Sequence, residues 1–388
     1  MDRGLKLLHP QRTLWTEGDR VWTIDQTRLP FEAIPLSLTD VQGCAHAIAT
    51  LQVRGAPLIG AVAAFGLALA LREEPTDRAL DRAFHALAQT RPTAVNLRWA
   101  LERVRQQVQA LPAQDRAVRA WGEAVRIADE DVAVNAALGM HGAALLQTVI
   151  AERAQRGRPV GRDAPLYVLT HCNAGRLATV AHGTALAPLY RLHQAGVPLQ
   201  VWVDETRPRN QGASLTAWEL REAGIPCTVI ADNAGAELMR LGRVDAVLVG
   251  CDRVARNGDV ANKVGTALKA FAARYYGIPF WVACPLSTLD AGLQSGAAMP
   301  IEYRSPREVT HIPGRDAQGR WSEVQLVPDG IDALNPAFDV TPADCVTGLI
   351  TEHGLCAADT VALSALLQRV QPRALQSHPD NLETPHGT

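Results

Sequence analysis

Apolar residues recur every three or four positions from Ser37 to about Leu146, as in ALERVRQQVQAL and AWGEAVRIADEDVAVNAAL, with polar residues between them. Such spacing lays an apolar stripe along a helix, so this half of the chain is expected to be a mainly helical domain. Ahead of it, residues 14 to 29 (LWTEGDRVWTIDQTRL) carry two short runs rich in Trp, Val, Ile and Thr around the turn Glu17-Gly18-Asp19. That pattern predicts a small β-hairpin.

The periodicity changes after the polar, Gly- and Pro-containing stretch RAQRGRPVGRDAP (153 to 165). Short apolar runs then alternate with helix-length segments: LYVLT (166 to 170), QVWVD (200 to 204), CTVIA (227 to 231), DAVLVG (245 to 250) and PFWVA (279 to 283). Alternation of this kind predicts an α/β fold with a doubly wound, Rossmann-like parallel sheet. The expected division is a helical domain with its hairpin over 1–152, a Rossmann-like catalytic domain over 153–371, and a disordered polar tail from 372.

Ligands of open parallel sheets bind beyond the carboxyl ends of the strands, so the residues after those runs carry the candidate chemistry. The first run ends in Thr170-His171-Cys172-Asn173-Ala174-Gly175 and leads into the helix-like RLATVAHGTALAPLYRLHQA. Beside a helix N-terminus, Cys172 would be favoured as a thiolate, although the same position suits a buried strand-end cysteine. The fourth run ends in Gly250-Cys251-Asp252-Arg253, with Asn262 and Lys263 expected to open the next helix. In a dry cleft Asp252 would hold a proton and act as a general acid, unless Arg253 or Lys263 pairs with it. A structural ion pair or helix cap is the competing reading, and Cys251 reads as packing.

Arginines mark other candidate anion sites. Arg54-Gly55-Ala56-Pro57 precedes the apolar LIGAVAAFGLALAL, Arg91 precedes AVNLRWALERV, and Arg207 and Arg209 lie in the loop Asp204–Gly212. A guanidinium at a helix entrance suits phosphate, while surface solvation or simple helix packing accounts for the same residues. His171, His182 and His353 are possible acids or bases whose default is structural.

Composition narrows the partners. Among 388 residues, 38 Lys and Arg nearly balance 40 Asp and Glu, for a net charge of −2, so phosphate recognition must be local and no nucleic-acid surface is expected. The start MDRGLKLLHPQRTLW has no leader pattern, and no apolar run is expected to reach membrane-spanning length without polar breaks. With seven scattered cysteines and no C-x-x-C pair, a cytoplasmic protein without disulfides or zinc is expected. No glycine-rich dinucleotide loop, Walker sequence or metal-spaced His/Glu pair occurs, so neither cofactor nor metal is expected.

Ordered blocks from about residue 12 to 360 resemble the methylthioribose-1-phosphate isomerase family: VRGAPLIGA, QTRPTAVNL, THCNAG, ETRPRNQGASLTAWEL, DNAGAELM, CDRVARNGDVANKVGT, ACPLSTLD and NPAFDVTPADCVTGLITE. The resemblance implies an aldose–ketose isomerase of methionine salvage that forms a homodimer, with Cys172 and Asp252 as the catalytic pair. It further implies substrate contacts from Arg54, Gly55, Ala56, Arg91, Gln211, Asn262 and Lys263. The wider group includes ribose-1,5-bisphosphate isomerases and regulatory subunits of a translation-initiation exchange factor. Another pentose 1-phosphate, such as 5-deoxyribose 1-phosphate or ribose 1,5-bisphosphate, and a non-catalytic subunit therefore remain open readings. Four positions depart from the family pattern: Cys251 stands where alanine is usual, Arg176 replaces a small residue, and Asn210 and Ser214 alter the loop around Gln211.

Overall fold

The computed structural model describes residues 12–91 and 94–370; the expectations about the first residues and about the tail beyond 372 lie outside them. Strands β1 (Leu14–Glu17) and β2 (Arg20–Ile24) form the expected hairpin, closed by a two-residue turn in which Gly18 takes a φ of 61°. A third strand, β3 (Pro35–Leu38), pairs antiparallel with β2. Its short PLSL run, opening on proline, carried no alternating signal.

Five helices follow: α1 (Val41–Ala49), α2 (Ala56–Glu73), α3 (Asp77–Ala88), α4 (Val95–Val108) and α5 (Ala113–Gln155). Side-chain caps start two of them, Asp40 accepting from Gly43 N–H and Thr76 from Ala79 N–H. By length and composition alone α2 and α5 are apolar enough to cross a bilayer, although polar residues interrupt both, Arg72 and Glu73 in α2 and Asn135, His141 and Gln147 in α5. The apolarity of α2 has another use: α1, α3, α4 and α5 pack around it, and Leu58, Val62, Phe65 and Leu69 fill the core between them.

Beyond α5 the strands are β4 (Leu166–Thr170), β5 (Leu199–Asp204), β6 (Cys227–Ile230), β7 (Ala246–Val249), β8 (Arg253–Ala255), β9 (Val260–Lys263), β10 (Phe280–Ala283), β11 (Leu289–Asp290), β12 (His311–Arg315), β13 (Trp321–Gln325), β14 (Phe338–Thr341), β15 (Gly348–Thr351) and β16 (Gly354–Cys356). Helices α6 (Ala187–Gln194), α7 (Ala217–Glu222), α8 (Gly235–Arg240), α9 (Thr266–Tyr276), α10 (Arg307–Thr310) and α11 (Thr360–Val370) lie between and after them. The main sheet has the order β16-β15-β10-β7-β4-β5-β6, parallel throughout except for β16. Its strand order runs outward in both directions from β4 and β7, so these neighbours form the topological switch point. Apolar clusters cover both faces of the sheet.

Helix α5 serves two cores. Ala120, Ala124 and Ile127 pack among the helices, whereas Leu138, Leu145 and Leu146 pack against the sheet. The change of packing partner thus falls inside a continuous helix.

Candidate active site

Cys172 and Asp252 follow β4 and β7, the two strands at the switch point, and line one cleft. Cys172 takes a φ of 65°, a left-handed conformation that costs a β-carbon residue roughly 1–3 kcal/mol. Two bonds hold it there: its N–H donates to Thr206 Oγ1 at 2.9 Å, and Thr216 Oγ1 donates to its carbonyl at 2.7 Å.

The expected helix directly after Cys172 does not form. Only one 3₁₀ turn, Arg176–Ala178, interrupts an irregular run, and α6 starts at Ala187. Backbone N–H groups that a helix would align are captured by a buried side chain, Glu219, which accepts from Arg176 N and Leu177 N. No helix dipole therefore favours a thiolate. With the residue 7% exposed, burial raises the Cys172 pKa, Arg54 and Lys263 oppose the rise, and Asp252 adds to it. The thiol donates to Gln211 Oε1 at 3.1 Å.

Asp252 donates its backbone N–H to Ala261 O, and among the described residues its carboxyl accepts no hydrogen bond. Arg253 does not neutralise it, being turned to Asp290 at 3.4 Å. Burial pushes the Asp252 carboxyl up, against the pull of Lys263, Arg54 and Arg91. A buried carboxyl whose pKa is raised, and which no hydrogen bond holds as a carboxylate, is equipped to donate a proton.

Besides Arg253, four cations line the same cleft: Arg54, Arg91, Lys263 and Arg304. Arg54 donates to the Asn173 side-chain oxygen and, at 2.9 Å, to the Asn173 carbonyl. Gly55 caps α2 without any side-chain bond, so the first N–H groups of that helix stay available to an anion. Lys263 ends β9 instead of opening a helix, because Gly265 at φ 102° intervenes before α9 starts. Its ammonium donates to Ala337 O at 2.7 Å and sits 4.5 Å from the Phe338 ring centre. Burial lowers the pKa of Lys263, and Cys172 and Asp252 counter it. Arg91 pairs with Glu302 at 2.8 Å.

Gly55, Ala56 and Gln211 also line the cleft, whereas Asn262 does not; its amide donates to Thr266 Oγ1 at 3.1 Å. Arg207 and Arg209 face α10, through the Val309 carbonyl and the Glu308 carboxylate, and Arg176 lies over Trp218. Sequence reasoning missed Arg304, Met299, Ile301 and Phe338, which line the cleft, and Glu302, which pairs with Arg91. Leu51, Ile59, Met299, Ile301 and Phe338 give it an apolar wall.

His171 is fully buried, its ring bridging Asp204 at 2.7 Å and Val264 O at 2.8 Å, which ties it to the fold. His171, Asp204 and Asp232 come within metal-ligating reach of one another. Lys269 supplies a cation to Asp204 at 3.1 Å and Asp232 accepts from Thr206 N and Arg207 N, while Asp204 Oδ1 is buried without a hydrogen-bond partner. Cys251 shares the Thr288 hydroxyl with Cys284 and packs below the sheet edge.

The model of the initiation factor 2 subunit family matches residues 52–358. A methylthioribose-1-phosphate isomerase from Rhodospirillum rubrum is 53% identical over 366 residues, covering 94% of this chain and 93% of its own. One from Methylobacterium nodulans is 56% identical over 360 residues, 92% of this chain and 96% of its own. Among solved structures, 5-methylthioribose 1-phosphate isomerase from Pyrococcus horikoshii OT3 superimposes with a TM-score of 0.79 at 40% identity, covering 95% of this chain and 98% of its own. Translation initiation factor eIF-2B, subunit delta, from A. fulgidus gives a TM-score of 0.73 at 38% identity, covering 89% and 96%.

Proposed function

Because the chain belongs to the initiation factor 2 subunit family and, within it, to the methylthioribose-1-phosphate isomerases, we infer that this cleft interconverts 5-methylthioribose 1-phosphate and 5-methylthioribulose 1-phosphate in methionine salvage. The observation that carries the mechanism is an unshared acid, Asp252, and a thiol, Cys172, facing one cleft that pairs cations with an apolar wall.

Phosphate on C1 prevents the furanose from opening as a free hemiacetal would. Asp252 donates its proton to the ring oxygen as the bond from that oxygen to C1 breaks, leaving C1 electron-poor. Arg54, Arg91, Lys263 and the first N–H groups of α2 hold the phosphate. Hydrogen then moves from C2 to C1, and the C2 hydroxyl gives its proton to the Asp252 carboxylate, which restores the acid as C2 becomes the ketone. In one route the hydrogen travels with its electron pair. In the other, a Cys172 thiolate removes the C2 proton, an enol forms across C1 and C2, and C1 is reprotonated. Burial of Cys172 and its bond to Gln211 support the hydride route, which needs no thiolate.

The apolar wall suits a methylthio group. Arg176, Arg207 and Arg209, the candidates for a second phosphate, are engaged elsewhere, which speaks against a bisphosphate substrate. Turnover of 5-methylthioribose 1-phosphate, ribose 1,5-bisphosphate and 5-deoxyribose 1-phosphate by wild type, Cys172→Ala and Asp252→Asn tests this assignment. Conversion of the first substrate is expected, lowered most in Asp252→Asn and also in Cys172→Ala, whose thiol shapes the pocket on the hydride route; preference for the bisphosphate would overturn the substrate. No turnover of any would favour a regulatory subunit. In heavy water, label at C1 would restore Cys172 as a base.

We also propose a homodimer in the cytoplasm acting without nucleic acid or membrane. Leu268, Phe271 and Tyr275 lie 59%, 47% and 83% exposed along one face of α9, and all seven cysteines are free. Phe271→Glu should shift the protein to a monomer in size-exclusion chromatography with light scattering.

A further inference from the structure

Glu219 lies outside the cleft, on α7, and is 2% exposed. Four donors converge on its carboxylate. Oε1 accepts from Asn173 Nδ2 at 2.8 Å and Leu177 N at 3.1 Å; Oε2 accepts from Arg176 N and the Tyr190 hydroxyl, both at 2.8 Å. The packing leaves no slack, since a methyl group on Gly175 would meet Glu219 Oε2 at 2.2 Å.

A side-chain amide has one donating and one accepting end. With its nitrogen held by Glu219, the Asn173 amide must present its oxygen to Arg54, which it does while the Asn173 carbonyl takes the other guanidinium nitrogen. Were the amide turned round, it would aim an N–H at a cation. We propose that Glu219 is a positioning residue for the isomerase reaction: through the polarity of Asn173 it fixes the Arg54 guanidinium in the cleft beside Cys172. Glu219 thus acts through two intermediaries and touches no substrate. The proposal rests on the cleft being the isomerase site.

Reversing the polarity of the relay tests it. Asn173→Asp sets two carboxylates against each other, and Glu219→Gln removes the charge that orients the amide. In the double variant an amide at position 219 donates to a carboxylate at position 173, giving up the bond that Glu219 Oε1 accepts from Leu177 N–H but restoring the polarity of the relay. Each single change should lower kcat/KM for 5-methylthioribose 1-phosphate about ten- to a hundredfold, the scale of a misplaced binding group. The double variant should recover to within about threefold of wild type, far above the product of the singles. A second readout is independent of turnover: the pH at which iodoacetamide labels half of Cys172, followed by peptide mass spectrometry, should rise in both singles and return toward wild type in the double. Single variants that keep wild-type kcat/KM and labelling pH, or a double variant no better than Asn173→Asp, would overturn the relay. Loss of turnover in wild type itself would instead overturn the isomerase assignment, and the labelling profile would still judge the relay.

Discussion

Replacing Gly55 by alanine strikes the point where the helical half of the molecule meets the loop after Cys172. Gly55 holds a φ of 96°, and a methyl group there would stand 2.4 Å from both the Cα and the carbonyl oxygen of Ala178. Non-bonded heavy atoms prefer about 3.5–4.0 Å, so backbone must move by more than about 1 Å, with no flexible side chain to give way. Backbone strain of roughly 1–3 kcal/mol and overpacking of a similar size together predict a loss of about 2–6 kcal/mol. Gly277 is the control, since it takes a φ of 66° with nothing within 4 Å of an added methyl group, and alanine there carries the strain alone. Urea titration of both variants separates the two contributions. Activity gives a second reading, because Arg54 and the first turn of α2 move with residue 55, and kcat/KM should fall for Gly55→Ala only. A Gly55→Ala protein within about 0.5 kcal/mol of wild type, with unchanged kcat/KM, would refute the close approach as described.

Burial pushes the Asp131 carboxyl up to about 7. The folded chain then keeps a proton that the unfolded chain releases near its ordinary carboxyl pKa of about 3.9, so this group's contribution to stability is present at pH 4 and lost as pH rises through 7. Asp131→Asn should flatten that slope and stabilise the protein at pH 8 more than at pH 4. Its oxygen can still accept from Val180 N–H, whereas the bond that Asn135 Nδ2 donates to Asp131 Oδ1 is lost at every pH and leaves the slope untouched. Asp252 has a raised pKa of the same sign, so Asp252→Asn should lower turnover by about 10²–10⁴-fold yet unfold at higher denaturant than wild type at neutral pH. Equal unfolding midpoints would count against a buried charge there. Arg304→Leu should raise KM about tenfold with little change in kcat if this cation of the cleft wall adds to the phosphate grip of Arg54, Arg91 and Lys263; Glu308 keeps Arg209 and Asn335 as partners. An unchanged KM would remove Arg304 from the binding set.

Local pattern made the parallel strands legible: LYVLT forms a strand over the same residues as expected, and the strand-end rule pointed at Cys172 and Asp252. Failures came where a distant partner decides local structure. The run after Cys172 has helical composition, but Glu219, more than 40 residues on, takes the N–H groups that a helix would have used. Lys263 and Asn262 looked like a helix start; β14 pairs with them antiparallel from residues 338–341 and makes them strand. Arg304 and Phe338 reach the cleft from segments whose neighbours in sequence say nothing about cations or sugars. The resemblance supplied Gln211, whose bond to the Cys172 thiol no spacing rule would have found.

Helix α5 has 43 residues, about 65 Å at 1.5 Å per residue. As the chain leaves the ribosome, its first half can gather around α2 early, but Leu138, Leu145 and Leu146 then point at a surface whose strands have not yet been synthesised. The closing turns of α5 must wait, bare, until β4 through β7 arrive. Maturation of the first half is thus tied to the second, and a nascent chain arrested near residue 160 would carry an apolar ridge for chaperones or proteases to find.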